Sequence, residues 1–253
     1  MTIKQYFGNS TILLSLIAAN IGLALLIWVS GLISPRAEML MQSALVIPSI
    51  FSSWLSQPWS LVTYMFTQIS FLHLLFNMLW LLWFGRIFLF CSSEKRLLLT
   101  YLGGGLTGGI FYLLASNIGD PVPGGYLIGS SAAVLAVMTA ASIMAPNLEL
   151  RLLLLGEIRL KYVALICILL TFLGIGGGNA GGFSAHIGGV LFGLFAPSLF
   201  RSSGVKIFST VSDTFRNIRK KMKARKRIVP DVLLKPGEAQ RNRKILSSLT
   251  TPH

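Results

Sequence analysis

The stretch from Tyr126 to Pro146 constrains this chain more than any other. It opens with Gly129-Ser130-Ser131-Ala132 and runs on as an apolar segment that stops at Asn147 and the charged residues beyond it. As a helix, the path from Ser131 to Asn147 rises roughly 24 Å, against about 30 Å of bilayer hydrocarbon. Its serine end therefore lies below the outer surface. Lipid cannot satisfy exposed backbone groups, so a small-residue turn carrying hydroxyls at that depth must be surrounded by protein or water.

The bilayer enters this argument because the 253 residues are 53% hydrophobic and only 12% charged, which places the chain among polytopic membrane proteins. Six apolar runs are expected to be spans, at about residues 11–33, 70–90, 97–116, 131–146, 162–175 and 183–200. This gives an all-α membrane domain over 1–201 and a basic tail over 202–253. The run Thr11 to Ile33 exceeds a typical signal-peptide core and lacks a small-x-small cleavage site, so it is read as a retained helix. From Arg36 to Met65, aromatics and prolines alternate with polar residues. That suits either an interfacial loop with its rings at headgroup level or an ordinary extracytoplasmic connection. The third run carries Gly103-Gly104-Gly105 and Gly108-Gly109, and the fourth repeats Ala132, Ala136 and Ala140, both suited to close helix contact. A charged connection is expected from Glu149 to Lys161 and a flexible glycine turn from Gly176 to Gly182.

The net charge of +14 is concentrated at one end. From Arg201 onward there are 14 basic residues against Asp213, Asp231 and Glu238, so the tail holds +11 of it. A cluster just past a membrane helix marks a cytoplasmic flank, and no nucleic-acid partner is expected. Lys4, the connections Arg86 to Arg96 and Arg151 to Lys161, and the tail fall on one side of six spans, with Arg36 alone opposite. Both termini are thus expected in the cytoplasm. With no transit-like leader, a bacterial inner membrane is the expected location. In the tail, Ile207, Phe208, Val211, Phe215 and Ile218 recur at helical spacing beside the cationic run Lys220 to Arg227. Such a segment either lies on an anionic lipid surface or is a solvated tail. Cys91 and Cys167 have no metal-like spacing, so neither disulfide, metal nor cofactor is expected.

With this topology the second, fourth and sixth spans all run inward from the outer side. His186 stands 15 residues above Arg201 and Ser131 stands 16 above Asn147, roughly 22 and 24 Å by helical rise. His73 and Asn77, four residues apart, share one face in the outer part of the second span. A lone serine in a span is usually a packing residue, and an asparagine can be interhelical glue. An ionisable histidine is costly there and points to function. Together the four carry the chemistry of acyl transfer, with Ser131 as nucleophile and His186 as general base. The Ser131 backbone N–H, the Asn77 amide and the His73 imidazole can serve as oxyanion donors. No acidic residue lies within the spans, which leaves a Ser-His dyad rather than a triad.

His73-x-x-x-Asn77, Gly129-Ser130-Ser131 and Gly181-x-x-x-Ala185-His186-x-x-Gly189, in this order and spacing, resemble the rhomboid family of intramembrane serine proteases over roughly residues 58 to 200. The resemblance implies a six-helix bundle with a water-filled cavity open to the outer side. It implies a Ser131–His186 dyad with an oxyanion site at His73 and Asn77, and single-pass membrane proteins as substrates. These would enter past the fifth helix, where Phe172 is a candidate gate residue, and be cut near the outer ends of their spans. The family's Gly-x-Ser-Gly reads Gly-Ser-Ser-Ala here, which adds the Ala132 methyl and makes Ser130 the fallback nucleophile. The Trp-Arg pair of the first loop reads Trp59-Ser60, and a frequent His reads Gln68. The usual acidic residue at the inner end of the second span is missing around Leu89 and Phe90, with Glu94 a displaced substitute. These departures bear on loop anchoring more than on chemistry, and Ala132 and Ser60 motivate an alternative of a different class: an inactive rhomboid-like protein that binds membrane helices. A transporter or channel is a more distant alternative.

Overall fold

A computed structural model describes residues 10–118, 125–152, 156–172 and 182–201; the basic tail and the glycines at 176–178 and 181 lie outside them. Helix α1 (Thr11–Ile33) starts at Ser10, whose hydroxyl accepts from the Leu13 amide at 3.2 Å, and ends where Ser34 turns extended before Pro35. The residue preceding a proline is steered out of helical backbone, so this stop is local in origin. Pro35 then occupies the first turn of α2 (Pro35–Leu45), where its missing N–H costs nothing.

The first loop is more structured than its mixed sequence implies. After α2 come a short strand β1 (Ile47–Pro48), the helical turns α3 (Phe51–Leu55) and α4 (Ser60–Thr63), and a 3-10 turn at Tyr64–Phe66. The last carbonyls of a helix lack intrahelical partners. Here three side chains supply them: Trp59 Nε1 donates to Ala44 O at 2.8 Å, Thr63 Oγ1 to Leu45 O at 2.8 Å, and Gln57 Nε2 to Val46 O at 3.0 Å. Trp59 therefore anchors the loop without an arginine beside it, while Ser60 is fully buried.

Helix α5 (Phe71–Cys91) begins under a Ser70 cap, and α6 (Glu94–Ser116) begins with Glu94, a charge that suits its positive end. The loop and α6 are cross-latched. Tyr64 donates its hydroxyl to Gly105 O at 2.5 Å, and Tyr101 donates to Met65 O at 3.1 Å. Burial, with Tyr101 close by, holds the Tyr64 phenol well above its ordinary pKa, so it remains a donor.

Strand β2 (Tyr126–Leu127) pairs antiparallel with β1, matching Ile47 to Leu127 and Pro48 to Tyr126. It leads into α7 (Ser131–Met144), the hub of the fold: every residue from Ala132 to Ser142 is buried. A helix apolar all round can only lie inside a bundle. The expected charged connection is a hairpin of β3 (Glu149–Leu152) and β4 (Gly156–Arg159), with Glu149 opposite Arg159 and Leu150 opposite Ile158. Leu150 and Ile158 pack on the core. Helices α8 (Leu160–Phe172) and α9 (Gly182–Arg201) complete the described chain; the Phe172 side chain lies outside the description.

Among the described residues, α1, α5, α6 and α9 are long and apolar enough to cross a membrane, and α7 and α8 are shorter apolar helices. The fourth and fifth expected spans are thus the short ones. Around α7 the packing relies on small residues. A Cβ on Gly108 of α6 would stand 2.6 Å from the Ala132 methyl, and one on Gly189 of α9 would strike the Ala132 carbonyl. Backbones in such contact require glycine.

Candidate active site

The site forms where α7 starts. Gly129 holds φ +109°, the one positive φ among the described residues, and its N–H donates to Tyr64 O at 3.0 Å. Left-handed backbone of this kind favours glycine strongly. It also leaves room for a ring, because a Cβ on Gly129 would lie 2.7 Å from His73 Cε1. The chain then turns through Ser130 and delivers Ser131 as the first residue of α7.

Ser131 Oγ lies 2.7 Å from His186 Nε2 on α9. This is the ordinary length of a strong hydrogen bond to a hydroxyl. The pair meets because α9 touches α7 at Gly189, three residues and so about one turn along the helix from His186. The methyl of Ala132, the departure that most affects the serine's surroundings, sits on Gly108. It fills the space a glycine leaves on α6.

The other two candidates lie on α5. His73 is half-buried with its ring against Gly129, and Asn77 follows one turn later at 6% exposure. The Asn77 side-chain amide has no hydrogen-bond partner among the described residues. A buried donor without an acceptor costs about 1–3 kcal/mol and calls for an explanation.

Ser130 is engaged differently. It is fully buried, and its Oγ accepts from Gln68 Nε2 at 2.8 Å. Asn20 joins this contact, with its Oδ1 3.4 Å from Gln68 Nε2 and its Nδ2 donating to Tyr101 Oη at 3.0 Å. The sequence signals for these residues were an asparagine in an apolar run and a glutamine ahead of the second span. Neither signal reveals the other. No group of three or more His, Cys, Asp or Glu among the described residues could hold a metal ion.

A family model for the rhomboid domain matches residues 55–203, more than half of the chain. The protein belongs to the rhomboid family. Together with its four span-length apolar helices, this makes it an integral membrane protein. No curated protein matches it. The matched segment of this rhomboid contains His73, Asn77, Ser131 and His186, whereas all of α1 precedes it.

Proposed function

We propose that this rhomboid is an intramembrane serine endopeptidase that cleaves single-pass membrane proteins through Ser131 and His186. The observation that carries the reading is the 2.7 Å contact between Ser131 Oγ and His186 Nε2. Neutral His186 takes the Ser131 proton as Oγ attacks the scissile carbonyl. Negative charge then develops on the carbonyl oxygen, and the Ser131 N–H, the unpaired Asn77 amide and the His73 ring donate to it. The imidazolium returns its proton to the departing amine, leaving an acyl-serine. Water, deprotonated by His186, hydrolyses that ester and restores the hydroxyl. Each oxyanion donor of this kind is worth about 10²–10³ in kcat.

The engagement of Ser130 by Gln68 supports Ser131 over its neighbour as nucleophile. The Ala132 methyl lies against Gly108, away from any clash with a side chain there, which favours the protease over an inactive member. We further infer six spans, with the hairpin and both termini on the cytoplasmic side of a bacterial inner membrane. The membrane domain would cover 1–201 and the basic tail 202–253. Basic residues concentrate on that side, and an anionic inner leaflet attracts them.

The test is cleavage of a transmembrane reporter in proteoliposomes by the wild type and by Ser131→Ala, paired with fluorophosphonate labelling. Cleavage and labelling that both vanish in Ser131→Ala are expected. Equal cleavage by the two proteins refutes the reading. Absence of cleavage across several substrates together with absence of labelling points instead to an inactive helix-binding member.

A further inference from the structure

The start of α5 is fastened by another helix. Its N-cap residue, Ser70, has extended backbone at φ -89° and ψ 130°, so the Ile69 carbonyl before it falls outside the helix. In a continuous helix that carbonyl would accept from the His73 amide, four residues on. Here the His73 amide turns to Ser70 Oγ instead, at 3.5 Å. Lipid offers no donor to a carbonyl left over in this way. Trp28 of α1 supplies one: its Nε1 donates to Ile69 O at 2.9 Å, and its ring lies 6.4 Å from that of Phe71.

Ile69 and Ser70 join two segments that meet at the site. On one side of this joint is the first loop, where Tyr64 O holds the Gly129 amide. On the other is the first turn of α5, whose His73 ring lies so close to Gly129 that a Cβ there would come within 2.7 Å of His73 Cε1. The angle of the joint therefore sets how ring and turn meet.

We propose that Trp28 is a positioning residue that fixes His73, and through it the oxyanion site, by fastening this joint. Helix α1 precedes the matched rhomboid segment, so the support comes from outside that segment. The inference rests on the protease reading above. Without the indole N–H, the donor at helical spacing from Ile69 O is the His73 amide. Taking it requires Ser70 to adopt helical backbone, which lengthens α5 by one residue, swings it against the loop and moves His73 off Gly129.

Full-length variants in proteoliposomes are compared by kcat and KM for a transmembrane reporter and by fluorophosphonate labelling rate, each per folded protein. Trp28→Phe keeps a ring beside Phe71 and removes the donor. It is expected to lower kcat and labelling about tenfold with KM unchanged, the scale set by a misplaced catalytic group. In a His73→Ala background the same change is expected to cost less than about twofold, because its effect passes through a ring no longer there. Leu13→Ala loosens the same two helices at their other contact, where a Cβ on Gly85 would meet Leu13 Cδ1. It is expected to lower the melting temperature and leave kcat within about twofold of wild type. The proposal is overturned by an unchanged kcat in Trp28→Phe, by a full loss retained in the His73→Ala background, or by an equal loss in Leu13→Ala. If Trp28→Phe does not fold, Trp28→Met takes its place with the same expectations. Failure of both to fold assigns Trp28 to stability alone and likewise overturns it. A wild type that neither cleaves nor labels would instead sink the protease reading, and this inference with it.

Discussion

Replacing Gly189 by alanine tests whether the contact between two helices sets the geometry of the candidate dyad. A Cβ at this position would lie 2.8 Å from the carbonyl carbon of Ala132 and 2.9 Å from its Cα, whereas ordinary contact begins near 3.4 Å. The obstacle is backbone, so no side chain can swing aside. Relief of the contact with the carbonyl carbon requires α9 to move from α7 by about 0.6 Å, the difference between 2.8 and 3.4 Å, and the carbonyl oxygen, which stands closer still, makes this a minimum. Carried to His186 one turn away, even that minimum displacement, taken along the bond, stretches the 2.7 Å contact to about 3.3 Å, beyond the usual range for a hydroxyl donor. Overpacking of this kind costs about 1–3 kcal/mol of stability. A misplacement approaching 1 Å costs up to about 10²-fold in rate, so a loss of 10- to 100-fold is expected. The assay is reporter cleavage and fluorophosphonate labelling in proteoliposomes, with thermal unfolding in detergent to measure the folded fraction. Gly22→Ala is the control, because a Cβ there meets nothing within 4 Å. Gly189→Ala with rates within twofold of wild type and an unchanged melting temperature would refute the reasoning.

Three further outcomes are expected. Gly129→Ala forces a side chain into φ +109° and against the His73 ring, costing about 1–3 kcal/mol; its melting temperature should fall and its labelling slow, and an unperturbed variant would mean the turn is not held as described. Tyr64→Phe removes the donor to Gly105 O and should lower stability by about 0.5–1.5 kcal/mol, read as a shift in detergent unfolding. A peptide of residues 204–228, which spans the apolar positions from Ile207 to Ile218 and the cationic run to Arg227, should bind anionic vesicles at low salt and release as salt rises. Failure to bind at low salt would leave a solvated tail.

Sequence spacing conveyed depth well and lateral contact poorly. Counting helical rise from charged boundaries put Ser131 and His186 at one level, and the 2.7 Å contact follows once α9 packs on α7. The glycine pairs announced close approach, but not that Gly108 would receive Ala132 or Gly189 its carbonyl. The first loop was illegible because it is held by side chains reaching back to carbonyls 11 to 18 residues away, as Gln57, Trp59 and Thr63 do. No local pattern encodes such a reach. The hairpin is a different case. Glu149-Leu150-Arg151-Leu152 alternates with the period of a strand, so the charged connection is also a hairpin, with Leu150 partly buried against the core. Gln68 was visible only as a departure from the family pattern, since its partners Asn20 and Ser130 are 48 and 62 residues away.

The turn that carries Ser131 does not hang from the membrane helices alone. It is suspended from the first loop, by the pairing of Ile47 with Leu127, by the Ser49 amide on Gly125 O at 2.8 Å, and by the Gly129 amide on Tyr64 O. These bonds couple the loop to the turn, so that local unfolding of the one weakens the support of the other. Fraying of the loop would release Gly129, two residues ahead of Ser131. For the activity proposed here, that is a fail-safe: a molecule whose outer loop comes apart falls silent instead of cutting whatever reaches it.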